Sequence, residues 1–307
     1  MSSTDEFRRA LIGANPRLSR YNPLPRILFF DDFDEGANGW CELIGNHDGD
    51  LDKIRPVMAD MRPPQISNVS FFDIGTHGSV DGTYALKLAT RARAMHMALA
   101  IKRLTYVKPG LVQFETYFSV KSESWIGKSP NRGSHDGNVD LSVYDFGDFT
   151  IGNDVCDVEY GRRYHCALRY VNTDDSGNLV RKWMYKTSVV TSTRMEWGGA
   201  TPVTDYHVGH PNDWADVPNG SQALCYNEIP TKLNWHYLRY VFDTSAGQNV
   251  ELQVNDKVMD LRSIPVPTYE KGYWGLEKLL NFCVDVRTHK PIRNFIFLDS
   301  VLVSVDW

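Results

Sequence analysis

The segment "VELQVNDKVMDL", residues 250–261, has the pattern of a β-hairpin. Apolar residues alternate with polar ones up to Val254, and such alternation places one side of a strand on a core and the other in water. Asn255 and Asp256 then tolerate the left-handed backbone of a tight turn, and a second apolar run begins at Val258. The segment therefore predicts two antiparallel strands joined by a short turn.

Similar segments follow one another along most of the chain, whereas helical periodicity is confined to short stretches near residues 5–11, 51–61 and 271–280. Ten or more strands with short turns predict an all-β fold, a two-sheet antiparallel β-sandwich with few short helices. The clearest candidate strands are "RILFFDDF" (26–33), "YALKLAT" (84–90), "MHMALAIKRL" (95–104), "LVQFETYFSV" (111–120), "NVDLSVYDF" (138–146), "YHCALRYVN" (164–172), "LVRKWMYKT" (179–187), "NWHYLRYVFDT" (234–244), "LNFCVDVRT" (280–288) and "NFIFLDSVLVSV" (294–305).

Domain organisation is simple. Residues 1–26 are polar and interrupted by proline, which predicts an N-terminal arm, and residues 27–307 predict a single sandwich domain. One long, irregular loop insertion is expected at 192–230. Loops of that length inside a compact domain are usually functional or disordered, and its histidines favour function.

Composition excludes several classes of protein. The net charge is -5, the pI is near 6.0 and no basic stripe occurs, which argues against nucleic acid as a partner. No apolar run of membrane-spanning length and no N-terminal apolar signal segment is found, so a cytoplasmic protein without membrane contact is expected. The five widely spaced cysteines favour neither a disulfide framework nor a zinc site. A homo-oligomer remains open.

A family resemblance rests on motifs that occur in order from one end of the chain to the other. The motifs are "FFDDFDEGANGW" (29–40), "DGTYALKL" (81–88), "VQFETYFSV" (112–120), "NWHYLRYVFDT" (234–244), "LQVNDKV" (252–258) and "FLDSVLVSV" (297–305). Together they resemble the concanavalin A-like lectin/glucanase (jelly-roll) superfamily. The likeness is strongest to bacterial 3-keto-glycoside hydrolase/lyase-type and related carbohydrate-active domains, and it covers about residues 27–307.

This resemblance implies a carbohydrate ligand held in a groove on the concave outer face of one sheet. It leaves two functions open, since the fold hosts enzymes and lectins alike. The first is an enzyme that cleaves a glycosidic bond of a small glycoside or oligosaccharide by hydrolysis or β-elimination. The second is a non-catalytic carbohydrate-binding protein. No organic cofactor is expected.

Outward-facing polar residues of the strands, together with the histidines and carboxylates of two loops, are the candidates for a sugar site. Carboxylates and histidines can transfer protons at a glycosidic bond, and arginine, asparagine and aromatic side chains can hold the sugar. The competing interpretation is a solvated sheet face with cross-strand ion pairs. The predicted catalytic residues are Glu115, His165, Asp140 and His207. The predicted substrate-binding residues are Tyr117, Arg169, Trp183, His210, Asn281, Asp285 and Arg287.

Two further expectations concern this site and a metal. Residues from three strands, with Glu115 and His165 among them, are expected to converge in one groove, roofed by the 192–230 loop. Jelly rolls of the superfamily often bind a structural calcium where the terminal strands meet, and Asp32, Asp81 and Asp299 occupy matching positions. Turn-forming aspartates are the alternative there.

Overall fold

The computed structural model describes residues 3–41, 63–67, 79–123, 142–159, 161–188, 190–196, 199–205, 213–227, 233–270 and 277–307. With 53% strand and 6% helix, it confirms the all-β prediction. Two eight-stranded antiparallel sheets carry the fold, and a two-stranded hairpin accompanies them.

Sheet A has the strand order β15-β14-β13-β6-β18-β4-β3, with β1 also paired to β18. The strands are β1 (Arg26–Asp31), β3 (Gln65–Ser67), β4 (Ala85–Ala89), β6 (Leu111–Ser122), β13 (His236–Asp243), β14 (Gln248–Val254), β15 (Lys257–Asp260) and β18 (Asn294–Val305).

Sheet B has the order β12-β9-β8-β7-β17-β5-β2, with β16 also paired to β8. The strands are β2 (Trp40–Cys41), β5 (Met97–Thr105), β7 (Asp148–Cys156), β8 (Arg162–Thr173), β9 (Leu179–Lys186), β12 (Trp214–Ser221), β16 (Thr268–Glu270) and β17 (Leu279–Arg287).

The core lies between the two sheets, where side chains of the inner faces interdigitate. Phe114 of sheet A stacks on Phe282 of sheet B with ring centroids 5.2 Å apart, and Phe118 meets Phe149 at 5.0 Å. The alternation predicted for β6 and β17 is confirmed, because their apolar residues enter this core and their polar residues point to the outer faces.

The hairpin of residues 250–261 is confirmed as β14 and β15, with Asn255 at a φ of 55° in the turn. Its alternation is broken once, by a bulge. Val241 lies opposite Glu251 and Phe242 opposite Asn249, so Val250 has no opposite residue. The bulge turns Asn249 into the core, where its side-chain oxygen accepts a hydrogen bond from the Tyr240 hydroxyl.

Several element predictions are corrected by the structure. The strand expected at 138–146 contains a short 3-10 helix at Val143–Asp145, where the Ser142 side chain accepts a hydrogen bond from the Tyr144 backbone N–H, and residues 138–141 lie outside the described residues. At 271–280 no helix is found in the described part, because Leu279 already begins β17 and the period-2 pattern continues from there. The helix expected at 51–61 lies outside the described residues.

The segment 192–230 is more regular than expected. β10 (Val190–Glu196) and β11 (Gly199–Asp205) form an antiparallel hairpin, and β12 joins sheet B beside β9. Pro218 and Gly220 are typical of a loop, which is what the sequence predicted for this segment. In the structure the segment is β12, an edge strand with a register shift after Asp216. An edge position is where a sheet tolerates proline.

The N-terminal arm begins with helix α1 (Ser3–Ala14), which confirms the predicted short helix and extends it. After α1 the chain crosses the outer face of sheet A. There the Tyr21 hydroxyl donates to the Ser300 carbonyl at 2.6 Å, and the Leu24 backbone N–H donates to the Ser304 hydroxyl at 2.9 Å. Among the described helices, none has the length and apolar character needed to cross a membrane.

Candidate functional site

The sequence-predicted site is divided between the two sheets. Glu115 and Tyr117 belong to β6 in sheet A, whereas His165 belongs to β8 in sheet B. The prediction that Glu115 and His165 converge in one groove is therefore wrong. The side chains of Glu115 and His165 both point outward, but they lie on opposite outer faces of the sandwich.

Glu115 anchors the N-terminal arm. Its Oε1 accepts hydrogen bonds from the Asn22 backbone N–H at 3.1 Å and from the Tyr237 hydroxyl at 2.6 Å, and its Oε2 accepts one from the Gln113 amide at 2.8 Å. Both carboxyl oxygens of this buried side chain are therefore occupied by hydrogen bonds within the chain, which is typical of a structural role. Tyr117 lies on the same outer face as Glu115, with its ring 5.6 Å from that of Tyr237.

Trp183 faces the inter-sheet core, so the prediction that it lies on an outer binding face is wrong. Its ring is 5.5 Å from Phe149 and 5.3 Å from Tyr170, and its indole N–H donates to Gln222 at 3.0 Å. Three other predicted residues, Asp140, His207 and His210, lie outside the described residues.

The outer face of sheet B brings the other predicted residues together. The antiparallel register aligns Cys283, Gly152 and Ala167 across three neighbouring strands. Small side chains there make a shallow floor, which we call the trough. Gly152 is required at its centre, since a Cβ atom would meet the Cys166 carbonyl oxygen at 2.6 Å.

Polar residues flank the trough on both sides. On each of the three strands they lie two residues before and two residues after the floor residue. On one side Asp285, Thr150 and Arg169 lie opposite one another, and on the other side Asn281, Asp154 and His165 do. The ends of the trough are apolar. Trp214 of β12 lies at one end, and Met97, Leu99 and Ile101 of β5 lie at the other.

Asp285 and Asp148 are two buried carboxyl groups with opposite electrostatics. Burial raises the pKa of Asp285 to about 7, although Arg287 acts in the other direction. Burial would also raise the pKa of Asp148, but Arg169, Arg287 and His289 together hold it well below the usual range of an aspartate. Near neutral pH, Asp285 can therefore carry a proton while Asp148 is ionised.

Sequence reasoning missed Asp148 and Thr150, and it also missed His289 and Asp175. The predicted residue Arg169 pairs with Asp148, and His289 Nε2 lies 2.8 Å from Asp148 Oδ2. The other ring nitrogen of His289 lies 2.7 Å from Asp175 in the β8–β9 turn. His289 follows β17 in a turn, so strand periodicity gave no signal for it.

His165 occupies the opposite side of the trough. It lies four residues from Arg169 on β8, which is about 13 Å along a strand. Burial lowers the pKa of His165 to about 4, so its ring is neutral near pH 7. Beside it, Asp154 is bound by Arg163, whose Nε lies 2.6 Å from the carboxylate.

Buried polar atoms without a hydrogen-bond partner of standard geometry are concentrated along the trough. Buried polar groups in native proteins are nearly always hydrogen-bonded, so such a concentration calls for a ligand or ordered water. The Thr150 hydroxyl is near enough to Asp285 to lower its pKa. The atoms concerned are both carboxyl oxygens of Asp285, both ring nitrogens of His165, Asp148 Oδ1, Asn281 Oδ1 and Arg169 Nε.

The three aspartates predicted to bind calcium lie near one another, but their surroundings do not fit a calcium ion. Arg17 binds Asp32 at 2.5 Å, and Arg20 lies 3.5 Å from Asp81. Asp299 accepts the backbone N–H of Val80 and of Asp81. The described residues contain no group of three side chains arranged to hold a metal ion. Arginine cations lie where the prediction placed calcium.

A family described as Domain of unknown function (DUF6772) matches residues 8–307, and the chain belongs to this family. No curated protein matches the sequence.

Solved structures resemble the chain at low identity. A β-1,3-glucanase from Mycobacterium marinum shares 10% identity over 90% of this chain and 98% of its own, with a TM-score of 0.38. The GH16 protein of the mixed-linkage glucan locus of Bacteroides ovatus shares 10% identity over 90% and 100%, with a TM-score of 0.36. The CBM22-1 xylan-binding domain of Paenibacillus barcinonensis Xyn10C shares 12% over 93% and 97%, with a TM-score of 0.31. Similarity this distant assigns no activity to the chain.

Proposed function

We propose that the protein is a carbohydrate-active enzyme that cleaves a glycosidic bond at the trough on the outer face of sheet B. The observation that carries this proposal is the pair of buried carboxyl groups beside the trough, with the pKa of Asp285 raised and that of Asp148 lowered. When the pKa values of two neighbouring carboxyl groups differ in this way, one group can donate a proton while the other acts as the charged partner.

Asp285 is the proton donor in this proposal. Cleavage needs a proton on the leaving glycosidic oxygen, and an acid with a pKa near the working pH gives that proton most effectively. Neither carboxyl oxygen of Asp285 has a hydrogen-bond partner of standard geometry, so the group is available to a substrate oxygen. Burial also prevents water from competing for the proton.

Asp148 stabilises the positive charge that develops on the sugar ring. It lies diagonally across from Asp285, since Thr150 is opposite Asp285 and Asp148 is opposite Arg287. Diagonal neighbours of this kind are about 7–8 Å apart, a spacing that a sugar ring can bridge. Asp148 Oδ1 has no hydrogen-bond partner, whereas Oδ2 is bound by Arg169. His165 is too far along β8 to share the chemistry, and we assign it to substrate binding.

Burial sets a condition on this function. Asp285 and Arg287 are fully buried, so a substrate reaches them only if side chains that border the trough, such as Trp214, move. Trp214 is the best reporter of that movement. Its ring lies 5.6 Å from the Arg169 guanidinium and 5.2 Å from Lys186 Nζ, and a sugar entering the trough would disturb both contacts.

The test is turnover of an oligosaccharide panel, read by mass, by the wild type and by Asp285→Asn. Loss of the proton donor should lower the rate by about 10²-fold or more while binding persists. The wild-type rate should fall as the pH rises through about 7, because Asp285 then loses its proton. Asp216→Asn, an exposed change on β12 of the same sheet, is the matched control. Full activity in Asp285→Asn would refute the assignment.

A non-catalytic glycan-binding protein is the second candidate. The observation that favours it is the pairing of Asp148 with Arg169 and His289. A carboxylate held between two such groups is also typical of a structural ion network, and in that role Asp148 would not take part in catalysis. Binding without turnover in the wild type would decide for this candidate.

A further inference from the structure

One side of the trough presents a row of hydrogen-bond donors. Asp285, Thr150 and Arg169 lie opposite one another on three neighbouring strands. The Thr150 hydroxyl, Arg169 Nε and both carboxyl oxygens of Asp285 are buried and have no hydrogen-bond partner of standard geometry. With Asp285 protonated, as the proposed function requires, each of these three side chains can donate a hydrogen bond. A ligand group that carries several acceptor lone pairs fits this row.

Positive charge exceeds negative charge among the described buried residues on this side of the trough. The ionised carboxylate of Asp148 pairs with Arg169 and also lies opposite Arg287. Lys186 is a third buried cation on the same face. Three buried cations therefore accompany one buried carboxylate, and they would outnumber two carboxylates if Asp285 lost its proton.

Lys186 places its charge at the end of the trough where Trp214 lies. Tyr185 is opposite Leu168, so the next residue, Lys186, continues the row of floor residues beyond Ala167. Lys186 is also opposite Trp214, and its Nζ lies 5.2 Å from the centre of the indole ring. Burial lowers the pKa of Lys186 to about 8, so its amino group is still largely protonated at pH 7.

Two other acids act on these cations from the edges of the trough. Asp175 acts on Arg169 and Arg287, and Asp213 acts on Lys186. Both of these carboxylates are exposed. Water and salt screen exposed charges much more than buried ones, so the two acids offset little of the buried positive charge.

We infer that the ligand of the trough is an acidic sugar chain, with a carboxylate or sulfate group bound by Thr150 and Arg169 beside Lys186. This inference rests on the proposed function and narrows its substrate class. An ionised acid group only accepts hydrogen bonds, so it matches a row of donors, and its charge balances the buried cations. Hydroxyl groups of the same sugar would meet the opposite side of the trough, where Asn281 Oδ1 accepts hydrogen bonds and the His165 ring is neutral.

An anionic group in this row also agrees with the role of Asp285. Thr150 and Arg169 hold the acid group, which leaves the proton of Asp285 to the glycosidic oxygen. Negative charge close to a carboxyl group favours its protonated form. The bound substrate would therefore keep the proton on Asp285 until the leaving oxygen takes it.

The experiment compares three forms of the same tetrasaccharide that differ only at C6. Tetrasaccharides of glucose, mannose and galactose are titrated into the wild-type protein by calorimetry, beside their uronate and 6-sulfate counterparts. At least one acidic chain should bind about 10-fold or more tightly than its neutral counterpart, because hydrogen bonds to a charged group contribute more than neutral ones. The uronate and sulfate arms show which acid group the trough takes.

Other results separate the two levels of the proposal. Neutral chains that bind as tightly as their acidic counterparts, or more tightly, would overturn the inference and leave the proposed function standing. Binding of an acidic chain without turnover would support the inference and overturn the enzyme. Inorganic sulfate or monomeric glucuronate that binds as tightly as the chain would also overturn the inference, since the site would then recognise an anion and not a sugar chain.

Two variants locate the acid group. Lys186→Gln should weaken binding of the acidic chain by about 10-fold, and Thr150→Val, which keeps the side-chain shape, should weaken it by about 3- to 10-fold. The matched control is Lys182→Gln, the same change on the same strand, at a lysine that pairs with the exposed Asp216. It should leave the affinity unchanged. Wild-type affinity for the acidic chain in both Lys186→Gln and Thr150→Val would place the acid group elsewhere and overturn the inference.

Discussion

Glu115→Gln should weaken the fold and leave sugar binding and turnover unchanged, the opposite of what a catalytic role would give. The carboxylate accepts three hydrogen bonds, from the Asn22 backbone, the Tyr237 hydroxyl and the Gln113 amide. Because the side chain is fully buried, water cannot replace a lost partner.

The size of the effect follows from these three contacts. A glutamine can keep its oxygen towards Asn22 and Tyr237, which turns two charge-assisted hydrogen bonds into neutral ones at a loss of about 1 kcal/mol each. Its amide nitrogen then faces the amide nitrogen of Gln113, and an unmatched buried pair costs about 1–3 kcal/mol. Rotation of Gln113 gives no relief, since that amide also donates to the Asn22 carbonyl at 2.8 Å. The free energy of unfolding should fall by about 3–5 kcal/mol.

Urea unfolding followed by circular dichroism measures this loss, and sugar binding is measured on the same samples below the transition. Glu35→Gln is the matched control, because Glu35 is exposed. A Glu115→Gln protein with an unchanged urea midpoint and reduced turnover would refute the reasoning. Glu115 would then belong to the reaction, and the assignment of the site to sheet B would fail.

Two further predictions concern charge. A chelator should leave the melting temperature unchanged, and a fall in melting temperature on its addition would support the calcium site. Replacing Arg17 and Arg20 together by alanine should lower the free energy of unfolding by about 1 kcal/mol. Because burial raises the pKa of Asp285 from 3.8 to about 7, the contribution of this residue to stability should decline as the pH rises between these values. The stability of the wild type relative to Asp285→Asn should therefore fall by about 4 kcal/mol between pH 4 and pH 8, and urea unfolding of both proteins at the two pH values checks it.

Strand periodicity predicted the inner and outer sides of several strands correctly, because the alternation of side chains is fixed by the backbone itself. In β6 and β17 the predicted inward residues reach the core. Periodicity carries no information about which outer face a residue joins. Glu115 and His165 both point outward, but strand order separates them, and that order depends on pairing between segments distant in sequence.

Trp183 shows a second limit of periodicity. Strict alternation places Arg181, Trp183 and Tyr185 on one side of β9, and Trp183 was predicted to bind substrate on an outer face. Arg181 has a φ of 53°, in the left-handed region, so the strand is irregular at that point and its side chain does not report the side taken by Trp183. Trp183 lies in the core, where its ring contacts those of Phe149 and Tyr170.

β7 was absent from the predicted strands, although it lies at the centre of sheet B and carries Asp148 and Thr150. Its sequence "DFTIGNDVC" contains Gly152, Asn153 and Asp154, which are all poor strand formers. A valine at position 152 would make the strand easy to predict, but its Cβ would collide with the Cys166 carbonyl oxygen and its methyl groups would fill the floor of the trough. Gly152, which makes β7 hard to recognise in the sequence, is therefore also the residue that keeps the floor of the trough open, and such a conflict between local preference and global fold is expected at the proposed site.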